Sequence, residues 1–102
     1  MELLNEAEFK QATESNRLVI IDFFASWCMP CRKMFSILEH VEKQHSDTKF
    51  YKVDIDENEE IAKELKIFSI PTIVAFKNGE IIDTSVGLKS VNEINDFINS
   101  FK

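Results

Sequence analysis

Between Leu18 and Ala25 the chain reads LVIIDFFA, an almost unbroken apolar run with one carboxylate inside it. A strand with one wet face alternates apolar and polar residues. A strand that does not alternate needs cover on both faces. The run therefore predicts a central strand covered on both faces of its sheet. The period then changes. After Trp27-Cys28-Met29-Pro30-Cys31, the residues Met34, Leu38 and Val41 recur at intervals of three and four, predicting a helix from Cys31 to about His45.

The rest of the chain fits that frame. Asn5 with Glu8 three residues on is a helix-start signal, and Ala7, Phe9 and Ala12 make a short amphipathic helix ending near Ser15-Asn16. Lys49 to Ile55 reads as a strand and Glu57 to Leu65 as a helix. The run Ile73 to Phe76, the pair Asn78-Gly79, then Ile81 and Ile82 predict a hairpin, since both turn positions tolerate positive φ. Val91, Ile94, Phe97, Ile98 and Phe101 predict a C-terminal amphipathic helix. Parallel neighbours joined by crossovers, followed by an antiparallel hairpin, give a mixed α/β sheet between helices. With 102 residues and no repeat or linker, residues 1–102 are expected to form a single domain.

Composition removes several function classes. At 44% hydrophobic and 29% charged residues, the chain can fold without covalent staples, so its two cysteines are not needed for stability. A net charge of -6 disfavours phosphate backbones, and no nucleic acid partner is expected. The densest acidic run, Asp54 to Glu60, is read as a solvated face whose carboxylates favour the positive end of a helix. Met1 to Glu6 has neither a basic stretch nor an apolar core, and no run of about 18 apolar residues occurs. A cytoplasmic protein without a membrane partner is expected.

The chemistry concentrates in Cys28 and Cys31. Cys28 falls where a buried strand gives way to a helix, with Pro30 near the first turn, where a missing N–H costs little. Unpaired amides and the helix dipole there favour a thiolate. Acidity alone gains little, because nucleophilicity falls with pKa along a Brønsted slope of about 0.4 to 0.5. Holding the second sulfur close for a second attack matters more. Zinc is the competing use, through Cys28, Cys31, His40 and His45. However, histidines five apart on a helix diverge by about 140°, and the spacing from Cys31 to His40 is short for a finger. No metal is expected, and both histidines are assigned to the helix surface. Asp22 shares a strand face with Leu18, Ile20 and Phe24 and is expected to be buried, an edge-strand Asp facing water being the alternative. A buried carboxyl titrating near neutrality could exchange the proton of Cys31. Lys52, on the next strand, either pairs with it or faces solvent. Trp27, taken alone, is a core aromatic.

Trp27, Cys28, Pro30 and Cys31 follow a strand carrying Asp22; Ile70-Pro71-Thr72 comes about 40 residues later, then Lys77-Asn78-Gly79 and Val86-Gly87. In this ordered set, over essentially its whole length, the chain closely resembles the thioredoxin family. The resemblance implies the thioredoxin fold, a five-stranded mixed sheet flanked by four helices, with a short first strand near Met1 to Leu4. It implies that Cys28 is the nucleophile and Cys31 the resolving cysteine, and that Pro71 is cis and faces them. Ile70 would then offer backbone bonds to an extended substrate. Trp27, Pro71 and Gly87 would frame an apolar docking surface, with Met29 and Pro30 beside the reactive sulfur. Trp27 thereby becomes a surface residue. Met29 departs from the family, which usually has Gly there.

The implied activity is reduction of protein disulfides through a reversible Cys28–Cys31 couple without a cofactor. Asp22 would manage the proton and Lys52 belong to its network. Disulfide-containing proteins and a thioredoxin reductase-type donor are the implied partners of a monomer. A more oxidising, oxidase- or isomerase-like member and a non-catalytic binding subunit are the alternatives.

Overall fold

A computed structural model describes residues 1–102. The chain runs β1 (Glu2–Leu3), α1 (Glu6–Thr13), β2 (Val19–Phe24), α2 (Met29–Glu42), β3 (Lys49–Asp54), α3 (Glu59–Glu64), β4 (Thr72–Lys77), β5 (Glu80–Val86) and α4 (Val91–Asn99). The five strands form one mixed sheet in the order β1-β3-β2-β4-β5. β1 and β2 both lie parallel to β3, whereas β4 runs antiparallel to β2 and to β5. This is the thioredoxin fold anticipated from the sequence. The expected central strand is β2, whose six residues are all buried.

The alternation of β2 divides the core. Ile20 joins Ile73 and Ala75 in packing against Met34, Leu38 and Val41 of α2 and Ile94 and Ile98 of α4. On the opposite face Val19, Ile21 and Phe23 pack with Val53, Val74 and Phe76, and Phe9 of α1 meets the Phe76 ring edge-on at 5.6 Å. Each large apolar side chain taken out of water contributes roughly 1.5 to 3 kcal/mol. Both faces are needed to hold β2, so its lone carboxylate is enclosed by the same packing.

Local signals place the ends. Asn5 and Glu8 form the reciprocal capping box that starts α1, and Ser90 with Glu93 does the same for α4. Asn78 and Gly79 occupy the hairpin turn at φ 55° and 80°. Their N–H groups donate to Ser15 O and Thr13 O at 2.8 and 2.9 Å, tying the turn to the end of α1.

Three expectations are corrected. α1 stops at Thr13, short of Ser15-Asn16, where the Thr13 hydroxyl turns back to donate to Phe9 O at 3.0 Å. α3 is shorter than Glu57 to Leu65, although Glu59 and Glu60 do sit in its first turn. α2 ends at Glu42 rather than His45. The N–H groups of Gln44 and His45 bond three residues back, to Val41 O and Glu42 O, and this tighter winding closes the helix. His45 is consequently not a helix-surface residue. It is buried, its Nε2–H donating to Asn95 Oδ1 at 2.7 Å and its Nδ1 accepting from Lys102 Nζ at 2.6 Å. His40 stays exposed on α2.

Candidate active site

The dithiol sits at the junction that the change of period marked. Cys28 is the N-cap of α2, in extended backbone geometry at φ -85° and ψ 110°, and Pro30 falls in the first turn. Its own N–H is taken by Ala25 O at 3.1 Å, which fixes the bend out of β2. An N-cap side chain normally offers an oxygen to the first free amides. Here the Sγ of Cys28 does so, accepting from the Cys31 N–H at 3.2 Å. The two sulfurs are joined in a disulfide, with Cα atoms 5.3 Å apart. Cys31 is wholly buried and Cys28 is 5% exposed.

The chemistry is framed by exposed apolar side chains. Trp27 is 67% exposed and Met29 64%, one on either side of Cys28. The Trp27 indole is held in place, its Nε1–H donating to Asp56 Oδ2 at 2.9 Å. Beneath the disulfide lie Phe24 and Ala25, with Phe35, Ile55 and Ile70 packed against them. Ile70 and Pro71 are linked by a cis peptide bond. The Gly87 N–H donates to Pro71 O at 2.8 Å, at a backbone φ of 95° that suits only glycine well. These bonds bring Pro71 and Gly87 together and set Ile70 against the cysteine pair. The alternative of zinc brings nothing together, since His40 is on the surface and His45 is bonded to Asn95 and Lys102.

Asp22 lies in the middle of β2 with no exposed surface, and neither carboxylate oxygen has a hydrogen-bond partner in the protein. Burial pushes its pKa up from 3.8 to about 8, outweighing the opposing pull of the positive charge of Lys52. Lys52 is the cross-strand neighbour of Asp22 on β3. It takes neither of the two expected forms. It is half-buried with its ammonium 4.7 Å from the centre of the Phe35 ring and 5.9 Å from that of Phe24, and it makes no ion pair with Asp22. The two rings meet edge to face at 4.9 Å, so the cation is shared by an aromatic pair.

Asp56 and Phe35 are the contacts that the residue pattern did not single out. Phe35 was legible in principle, being one helical turn beyond Cys31. Asp56 carried no such signal, because it belongs to the acidic run read as a solvated face and reaches Trp27 only across a loop.

The family model for thioredoxin matches residues 1–100 of this chain. The chain belongs to the thioredoxin family. A thioredoxin of Mycoplasmoides gallisepticum is 38% identical over 96 residues, covering 94% of this chain and 96% of that protein. A thioredoxin of Rickettsia prowazekii is 42% identical, with 94% and 93% covered. Among solved structures, that of Plasmodium falciparum thioredoxin superimposes with a TM-score of 0.93 at 34% identity, each chain being covered in full. Family membership and the Cys28–Cys31 disulfide together make this chain a thiol-disulfide oxidoreductase of the protein-disulfide reductase type. Thioredoxins take electrons from a reductase and pass them to disulfide-containing proteins, and that general partnership applies here. No helix of the chain is long and apolar enough to cross a membrane.

Proposed function

We propose that Cys28 is the attacking cysteine and Cys31 the resolving one, and that Asp22 manages the proton of Cys31 within a single domain spanning residues 1–102. The observation that carries this reading is the asymmetry at the helix tip. In the reduced protein, the amide at the start of α2 that now bonds Cys28 Sγ supports a thiolate there. Cys31, fully buried, stays a thiol until the second step.

Cys28 thiolate attacks one sulfur of a substrate disulfide; a Cys28–substrate bond forms and the other substrate sulfur leaves as a thiolate. The Cys31 thiol then loses its proton through water to Asp22, in the fraction of molecules where that carboxyl is ionised, and attacks Cys28 Sγ. The internal disulfide forms, and the second substrate sulfur leaves. Two electrons pass to the substrate, and a reductase returns them by the reverse exchange. Trp27, Met29, Pro30, Ile70 and Gly87 form the surface on which the substrate segment lies, with the Ile70 backbone pairing with it and Pro71 directing it onto Cys28. Lys52 tunes Asp22 through its charge. The protein works as a cytoplasmic monomer.

Replacing Cys31 with Ser leaves the first step intact and removes the second. Cys31→Ser is expected to accumulate covalent complexes with disulfide proteins that dithiothreitol releases, while Cys28→Ser accumulates none. The reading fails if Cys31→Ser traps nothing and the wild-type protein does not accelerate insulin reduction.

A further inference from the structure

Phe68 is 85% exposed, the most exposed large apolar side chain of the chain. Its neighbours are anchored, Ile67 in the core beneath the sheet and Ile70 against the cysteine pair. The ring is therefore turned out by a segment fixed on both sides. It borders a groove of about 330 Å³ that also takes in Ile67, Thr72, Val74, Ile81 and Val86. Thr72 pairs with Val86 and Val74 with Thr84 across β4 and β5, so the groove runs down one face of the terminal hairpin. Val86 and Ile81 are themselves 54% and 47% exposed.

Two observations indicate what this groove receives. One end is continuous with the redox surface, because Ser69 and Thr72 flank the Ile70–Pro71 bond and Val86 precedes Gly87. The other is charge. The chain carries 18 carboxylate side chains, yet none lines the groove, and Lys66 is its one charged residue. A wall of this kind repels neither apolar nor acidic segments. Contiguous exposed apolar surface of this sort marks a contact for another molecule.

We propose that the groove bordered by Phe68 binds an apolar stretch of the substrate polypeptide, a few residues removed from the cysteine being reduced, and so selects among protein disulfides. The inference rests on the assignment of Cys28 and the Ile70–Pro71 segment above. Phe68 is a specificity determinant, acting on KM rather than on the sulfur exchange.

The test uses two ten-residue peptides, each with one cysteine in a mixed disulfide with glutathione, carrying either leucines or serines three to five positions from that cysteine. The wild-type protein is expected to reduce the leucine peptide with about tenfold higher kcat/KM, a difference of about 1.4 kcal/mol, expressed in KM. Phe68→Ser and Val86→Ser lose most of that preference, Phe68→Leu keeps it, and all three match the wild type on the serine peptide. Because Phe68 is so exposed, its replacement leaves folding intact. Equal rates for the two peptides with the wild type, or a preference that survives in Phe68→Ser, overturn the inference. So does a wild-type dimer in sedimentation that Phe68→Ser dissolves without altering peptide preference, which would give the groove to a second copy of this chain. A wild type that reduces neither peptide overturns instead the redox assignment beneath it.

Discussion

Replacing Asp22 with Asn should stabilise this protein, and by an amount that depends steeply on pH. The carboxyl is buried without a hydrogen-bond partner, and its pKa rises from 3.8 to about 8 on folding. An acid whose pKa is raised by folding holds its proton in the native state while the unfolded chain has already lost it. Between those two values the native protein binds the extra proton, so stability falls as pH rises, by about 1.4 kcal/mol per pH unit. Below 3.8 both states are protonated and the penalty is absent; above about 8 both are ionised and it is complete. Across the interval the loss sums to roughly 6 kcal/mol, a large share of the 5 to 15 kcal/mol that typically separates a native domain from its unfolded state. Asn has nearly the same shape and does not ionise. Urea unfolding of the disulfide-bonded wild type and Asp22→Asn should give similar stabilities near pH 4. The variant should gain steadily through neutrality and exceed the wild type by several kcal/mol at pH 9. A stability difference that does not change with pH, or a wild type that is the more stable form at pH 9, would refute the claim that this carboxylate is desolvated and unpaired.

Two further measurements address contacts that the sequence did not disclose. Trp27 is the sole tryptophan, so fluorescence reports its environment alone. Asp56→Ala removes the acceptor of its indole N–H and should raise ring mobility, seen as lower emission anisotropy, and raise KM for protein substrates, with a stability cost of about 1 kcal/mol or less. An unchanged anisotropy would show that the bond does not hold the ring. His45→Leu removes both the donor to Asn95 and the acceptor for Lys102 from a buried position, and should cost about 1 to 3 kcal/mol in urea unfolding; Lys102→Ala, which spares the Asn95 bond, should cost less. Equal or negligible losses in the two would restore the surface role that the sequence gave this histidine.

The residue pattern carried the layout because its signals are local and redundant. LVIIDFFA had to be the covered central strand. Asn5 with Glu8 specified a helix start through bonds confined to four residues, and Asn78-Gly79 specified a turn through its φ angles. Cys28, Cys31, Pro71 and Gly87 were identified by their order along the chain, and Asp22 by standing as the one carboxylate in a strand with no wet face. Where α2 ended was less legible, since the apolar spacing continues to Val41 and nothing local distinguishes a last helical turn from the tighter turns that follow.

What the tertiary structure alone decided were the relations between residues far apart in sequence. Lys52 stands beside Asp22, yet its ammonium settles over Phe24 and Phe35, a choice set by where α2 lays Phe35 across the sheet. Asp56 reaches Trp27 over 29 residues, and His45 reaches Asn95 over 50 and Lys102 over 57. Periodicity reports which face a residue occupies, because each residue's direction follows from its own backbone. Which polar group waits on the opposite element depends on how the layers pack, and only the assembled fold contains that information.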